Sequence, residues 1–355
     1  MVNKQSLEIF RGKRVLVTGD TGFKGSWLCL WLHQLGAQVY GYALPPKNED
    51  DHFNLLGLNN LIEHVTGDIR DLAAVKAAFD KFQPEVLFHL AAQPLVRFSY
   101  AEPKLTFDTN VAGSVNILEA ARQCESLKAV VIVTSDKCYR NNEWVWGYRE
   151  NDELGGHDPY SASKAAAELV FSSYQDSFFH ARPGFGAATV RAGNVIGGGD
   201  WAADRIVPDA IRALRNGEEI FLRNPNSTRP WQHVLEPLSG YLLVAANLLQ
   251  DPKCYSGAWN FGPNAQSIRT VKDLAEMIVA AWGSGRVESA PQHNAPHEAN
   301  LLHLNCDKAH QLLHWQPKWE VARAIGETVA WYRGVHQGQN ALEISSRQIT
   351  QYMES

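Results

Sequence analysis

The chain has 355 residues, 45% apolar and 20% charged, with 27 glycines and 16 prolines, enough to bury a core in one large domain or two lobes around a cleft. Its 33 basic against 38 acidic side chains leave a formal charge of −5, which excludes the basic excess of an electrostatic nucleic-acid binder. Five cysteines, Cys29, Cys124, Cys138, Cys254 and Cys306, form no CxxC or CxH pairing, so neither a zinc site nor a disulfide framework is expected, and reduced thiols fit a cytoplasmic protein.

The opening MVNKQSLEIF lacks the basic region, apolar run and small-residue cleavage site of a secretory signal, so export is not expected. From Ser26 to Pro46 there is no Asp, Glu, Lys or Arg. That stretch nevertheless contains His33, Gln34 and Gln38 and breaks at Gly36, so it does not read as a membrane span. From residue 13 onward, short β-branched runs alternate with longer helical periods. Strands are expected at Arg14 to Thr18, Gln38 to Tyr42, His64 to Thr66, Val86 to Leu90, Val130 to Thr134 and Ala187 to Ala192. Helices are expected at Lys24 to Leu35, Leu72 to Phe82, Thr106 to Arg122 and Tyr160 to Phe179. This order specifies an α/β fold, a doubly wound parallel (Rossmann) sheet with its ligands beyond the carboxyl ends of the strands.

After residue 192 the texture turns rich in Gly, Pro and Trp, with helices expected at Val207 to Arg215, Leu238 to Leu249, Val271 to Trp282 and Ala322 to Tyr332. We read 1–192 as mainly the sheet domain. Residues 193–355 then form mainly a smaller C-terminal α/β lobe that closes over a substrate and is interleaved with the sheet.

The first strand runs into Gly19-Asp20-Thr21-Gly22-Phe23-Lys24-Gly25 and then a helix. Glycine is needed here for a tight turn, for close approach of backbone N–H groups to a pyrophosphate and for helix–strand packing. Gly19, Thr21, Gly22, Phe23, Lys24 and Gly25 are therefore read as a dinucleotide cradle. The second strand ends in Tyr42-Ala43-Leu44-Pro45 with no carboxylate to hold a ribose, and Lys47 is available for a 2′-phosphate. Asp68 has two readings: it accepts a hydrogen bond from the adenine amino group, or it caps the helix beginning near Leu72.

Tyr160 and Lys164 are four residues apart and share one helix face. An ammonium and a cationic nicotinamide would both favour the phenolate, which can then take a carbinol proton.

These motifs, in this order, resemble the extended short-chain dehydrogenase/reductase family of nucleotide-sugar epimerases and dehydratases. The resemblance also covers Gly67-Asp68-Ile69-Arg70-Asp71, His89-Leu90-Ala91-Ala92-Gln93, Asn110 to Ser114, Arg191-Ala192-Gly193-Asn194-Val195 and Arg229 to Val234. It implies an NAD(P)-dependent reaction on a nucleoside-diphosphate hexose, with NAD as the cofactor. Asp68, Ile69, Leu90, Ala91 and Ala92 join the cofactor residues.

Epimerases of the family carry small, non-acidic residues where this chain has Ser135-Asp136-Lys137-Cys138-Tyr139. A 4,6-dehydratase needs two further proton-transfer groups, one for C5 and one for the departing 6-hydroxyl. Asp136 fits the acid and Lys137 stands where a glutamate base is usual. The Asp-Lys pair resembles the branch acting on CDP-glucose more than those acting on dTDP-glucose or GDP-mannose. Lys137 must be neutral to accept a proton; the alternative is an ordinary Asp136–Lys137 ion pair. Ser135 is expected to share the sugar 4-hydroxyl with Tyr160.

For the rest of the substrate, Asn194, Val207 and the guanidinium groups of Arg223 and Arg229 are candidates, although both arginines also read as solvated loop residues. Trp201, Trp231 and Trp259 are not assigned. The resemblance implies a homo-oligomer built on a four-helix bundle, for which Val111, Val115, Leu169 and Phe171 supply apolar surface. It also implies a product destined for the deoxysugars of bacterial surface polysaccharides (O-antigen, lipopolysaccharide). A 4-epimerase and a non-catalytic NAD(P)-sensing regulator are the rivals; intact Ser135, Tyr160 and Lys164 argue against the second.

Overall fold

The protein is described from a computed structural model covering residues 5–289 and 301–355. Six of its strands are β1 (Arg14–Thr18), β2 (Gln38–Ala43), β3 (Glu63–Thr66), β4 (Val86–His89), β5 (Ala129–Val133) and β6 (Gly186–Arg191). With the strand Gly257–Asn260 they form a seven-stranded sheet, in which that strand lies outside β6 and the order continues β5, β4, β1, β2, β3. Every pairing in it is parallel. The chain reverses its direction of travel between β1 and β4, so a crevice opens at the carboxyl ends of those two strands.

Strand periodicity sorts the core into two layers. Val15 and Val17 of β1, Val86 and Phe88 of β4 and Val131 and Val133 of β5 enter one apolar cluster, whereas Leu16, Leu87, Val130 and Ile132 enter the other. The helices Phe23–Gln34 and Leu235–Gln250 cover the first face; Leu72–Phe82, Gly113–Gln123 and Pro159–Tyr174 cover the second. Phe23–Gln34 is buried all round, from Trp27 to Leu32, which accounts for the charge-free stretch in the sequence. No helix among the described residues is long and apolar enough to cross a membrane.

The structure corrects several expectations. The seventh strand, Gly-Ala-Trp-Asn, is too short and too poor in β-branched residues to announce itself. Phe171, counted among the association residues, is 4% exposed and belongs to the second core layer, while Leu169 two positions earlier is 63% exposed. The long helices expected at Thr106 to Arg122 and Tyr160 to Phe179 are each interrupted or extended by a π turn, at Asp108–Ala112 and Gln175–Phe179. A C-terminal helix, Ala341–Glu354, was missed although Asn340 caps it and Ala341, Ile344, Ile349 and Tyr352 line its buried side.

Candidate active site

A cleft of about 1820 Å³ runs from the carboxyl ends of β1, β4, β5 and β6 into the segments beyond residue 193, and all the candidate residues from the sequence line it. At one end lies the glycine loop. Gly19 has φ +78, and a Cβ on it would lie 2.6 Å from the Ala91 amide nitrogen. A Cβ on Gly25 would lie 2.0 Å from the Gly19 carbonyl oxygen, so the loop, the helix start and the end of β4 meet backbone to backbone. Gly22 is the N-cap of Phe23–Gln34 and no side chain caps it, leaving the first helical N–H groups directed at the cleft. These features fit the diphosphate of a dinucleotide.

Thr21 donates its hydroxyl to the Leu44 carbonyl (2.9 Å), tying the loop to the chain after β2, and Ala91 N–H donates to Thr18 Oγ1 at 3.3 Å. Leu90 and Ala92 flank Ala91 on the cleft wall, and Ile69 is buried against Gly113. Asp71, not Asp68, caps the helix after β3 by accepting from Ala74 N–H, so the capping alternative for Asp68 falls away. Asp68 faces the cleft and accepts from Arg70 Nε at 2.9 Å, which holds its carboxyl below the usual range.

The middle of the cleft carries Ser135, Asp136, Lys137, Tyr160 and Lys164. Ser135 extends from β5 as N-cap of a one-turn 3-10 helix, Asp136–Cys138: its Oγ accepts from Lys137 N–H (3.2 Å) and donates to Asp136 Oδ1 (3.0 Å). Asp136 is 3% exposed, and its Oδ2 rests on the bare backbone of Gly193, where a Cβ would come within 1.8 Å. Lys137 is half-buried on the cleft wall, and among the described residues no ion pair joins it to Asp136. Opposite, Asp158 caps the helix Pro159–Tyr174 by accepting from Ser161 N–H at 3.0 Å, and Pro159 occupies the first helical position. This fixes Tyr160 in the first turn and Lys164 in the next.

Burial pushes the Tyr160 phenol up to about 12; a hydrogen bond with Ser135 and the Arg205 guanidinium pull it down, while Asp136 adds to the rise. The sequence suggests Lys164 as the cation favouring the phenolate, but Arg205 is the cation that acts most strongly on it here. Lys164 is brought down to about 8 by burial, opposed by Glu168, and its Nζ lies 3.3 Å from the Val133 carbonyl. Lys24 is a further amine on the cleft wall. Its Nζ sits 5.9 Å from the Tyr241 ring centroid and is lowered to about 8, by burial first and Arg205 next.

At the far end, Asn194 follows β6 in the left-handed region (φ 50), and Val207 is buried in the first turn of Ile206–Arg215. Arg223 Nη1 donates to Asp204 Oδ1 at 2.8 Å, and Arg97 Nη1 reaches the same oxygen at 3.2 Å. Arg229 lies on a short antiparallel pair, Thr228–Pro230 with Ile268–Thr270, its Nη1 donating to the Thr228 carbonyl at 2.8 Å. Of the tryptophans, Trp259 is fully buried and Trp201 packs edge-on to Tyr332, whereas Trp231 reaches the cleft wall. The sequence does not single out Arg97, Asp204 or Arg205; no motif surrounds them, and only the fold brings them to the cleft. Among the described residues no group of three or more His, Cys, Asp or Glu is placed to hold a metal ion.

Comparison with known proteins gives this geometry a context. The family model described as GDP-mannose 4,6 dehydratase matches residues 16–328. A CDP-glucose 4,6-dehydratase of Salmonella typhimurium is 49% identical over 350 residues, covering 98% of each chain. The crystal structure of Thermus thermophilus UDP-glucose 4-epimerase in complex with NAD is similar at TM-score 0.75 and 27% identity, covering 90% of this chain and 99% of that one. A Bacillus anthracis dTDP-glucose 4,6-dehydratase in complex with NAD shares the fold at TM-score 0.76 and 22% identity, covering 92% of this chain and 99% of the other. The chain thus belongs to the GDP-mannose 4,6-dehydratase family, within the extended short-chain dehydrogenases/reductases.

Proposed function

We propose that the protein is an NAD-dependent nucleotide-sugar 4,6-dehydratase, a hydro-lyase that converts CDP-glucose to CDP-4-dehydro-6-deoxy-D-glucose. The observation that carries this reading is the turn Asp136–Cys138, which presents a carboxyl and an amine beside Ser135 and Tyr160 in one cleft. The 49% identical CDP-glucose 4,6-dehydratase supports the choice of nucleotide, and the NAD-bound epimerase supports the cofactor.

The loop from Gly19 to Gly25 would hold NAD, with Asp68 toward its adenosine, and NAD bound there would supply the hydride acceptor for oxidation at C4 and the hydride donor for C6. Tyr160 as phenolate removes the C4 hydroxyl proton, while Ser135 holds the same oxygen; the Arg205 guanidinium offsets part of the cost of burying that phenolate, and Lys164 stands one helical turn further along as the second cation. The resulting C4 ketone makes the C5 proton acidic. Neutral Lys137 takes that proton, and protonated Asp136 gives one to the departing 6-hydroxyl, which leaves as water. Lys137 returns a proton to C5 as C6 is reduced, so the sugar loses one water and nothing is net oxidised. Asn194, Arg223 and Arg229 hold the diphosphate and Val207 lies against the nucleoside; on this reading 1–192 serves mainly the cofactor and 193–355 mainly the nucleotide sugar.

The same reading makes the protein a cytoplasmic homo-oligomer that supplies a deoxysugar for surface polysaccharide. Leu169 at 63% exposure and Phe107 at 39% leave apolar surface on the helices that would form a four-helix bundle with a second copy. The test is a pair of variants, Asp136→Asn and Lys137→Ala. Both are expected to abolish water loss while C4 oxidation, read as reduction of bound NAD in a single turnover, persists. Undiminished dehydration in both would refute the assignment.

A further inference from the structure

Beneath the reactive turn lies a buried ion pair for which the mechanism above has no use. Glu168, one helical turn after Lys164, is 3% exposed, and both of its carboxylate oxygens are engaged. Oε1 accepts from Arg191 Nε at 2.9 Å and from the Thr134 hydroxyl; Oε2 accepts from Arg191 Nη2 at 2.7 Å and from the Thr189 hydroxyl at 2.8 Å. Arg191, also 3% exposed, spends its remaining nitrogen, Nη1, on the Tyr139 hydroxyl (2.6 Å) and the Glu150 carbonyl (2.9 Å). Tyr139 in turn donates to Asn260 Oδ1 at 2.8 Å, and Asn260 belongs to the outermost strand of the sheet.

The positions of the two outer contacts give this network its meaning. Thr134 immediately precedes Ser135, and Tyr139 immediately follows the turn Asp136–Cys138. One guanidinium–carboxylate unit therefore grips the segment at both ends, from below, and leaves Ser135, Asp136 and Lys137 between them on the cleft wall. A pair buried this deeply costs desolvation, and a well-packed apolar replacement could fill the same space without that cost. A bidentate fork fixes direction as well as distance, which an apolar contact does not. A third contact completes the picture: Asp136 Oδ2 rests against Gly193, two residues beyond Arg191, so the end of β6 and the residues just after it supply both the guanidinium and the floor.

We propose that Glu168 and Arg191, acting through Thr134 and Tyr139, are positioning residues that set the register of the acid and the base against C5 and C6 of the sugar. Asp158 and Pro159 start the helix that places Tyr160 and Lys164, and variants that remove only the Thr134 or Tyr139 hydroxyl leave that helix and the Glu168 charge near Lys164 in place. Loosening either end of the turn thus separates elimination from oxidation. The inference rests on the dehydratase reading and assigns these four residues no contact with substrate.

The test uses the NAD-loaded enzyme and CDP-glucose with two mild variants, Tyr139→Phe and Thr134→Val, each of which removes one hydroxyl at one end of the turn. A single turnover is quenched with borodeuteride, which marks each 4-ketone with one deuterium, and mass spectrometry separates labelled sugar that retains its 6-hydroxyl from labelled 6-deoxy product. Each variant is expected to slow water loss about tenfold to a hundredfold, the scale of a displacement of under 1 Å at a reacting group, while C4 oxidation stays within about twofold. The undehydrated 4-keto sugar then accumulates in both variants and not in the parent enzyme. Oxidation and water loss falling in step, or neither changing, would overturn the proposal. If the parent enzyme yields no 6-deoxy product, it is the dehydratase reading that fails.

Discussion

The two ends of the cleft are built in different ways. At the cofactor end, backbone meets backbone: Gly19, Gly25 and Ala91 touch with no room for a side chain, and the groups offered to a ligand are N–H groups of the chain itself. At the substrate end, side chains from separated segments converge, with Arg97 and Arg223 sharing one oxygen of Asp204 and Arg205 reaching toward Tyr160. The first end tolerates almost no substitution and the second is graded. Steric constraints are all-or-none, whereas a charge contact in a solvated cleft is one of several.

Substitutions along the cleft sharpen this contrast. The largest effect is expected at Gly25→Ala, whose Cβ would fall 2.0 Å from the Gly19 carbonyl oxygen; NAD binding measured by calorimetry should weaken by about a hundredfold or more. Next comes Gly193→Ala in the middle of the cleft. Its Cβ would fall 1.8 Å from Asp136 Oδ2 and swing the acid away, so dehydration slows about a hundredfold with NAD affinity unchanged. At the substrate end, Arg223→Ala removes one charge-assisted contact, and steady-state kinetics should show KM rising about tenfold to a hundredfold with kcat nearly constant. An equal loss in kcat would place Arg223 at the reacting centre and break the contrast. The smallest effect is a control on the glycine argument: Gly326 lies inside the helix Val321–His336 with no heavy atom within 4 Å of its would-be Cβ, so Gly326→Ala should raise stability by about 1 kcal/mol in denaturant melts.

The same contrast explains which parts of the molecule could be read from the sequence. The glycine loop, β1 and the Tyr160–Lys164 pair were legible because each is local: a strand period, a sharp turn and an i,i+4 spacing. Asp136 and Lys137 were legible as chemistry, but the pair Glu168–Arg191 beneath them was not, since its partners are 23 residues apart and neither lies in a spacing that signals the other. Of the two readings of Asp68, the cap falls to Asp71, the residue next to the helix, and the cofactor reading is the one left. Phe171 shows the limit of facing arguments on a long helix, where two positions separate a core residue from the exposed Leu169. Arg97, Asp204 and Arg205 required the fold itself.

On the proposed reading, an amine and a carboxyl on one turn strip water from a CDP-bound hexose. It is tested most directly by incubating the NAD-loaded protein separately with CDP-glucose, dTDP-glucose, GDP-mannose and UDP-glucose and weighing the products. Loss of one water from CDP-glucose alone is expected. A 4-epimer of unchanged mass, or dehydration of a different nucleotide sugar in its place, would contradict it.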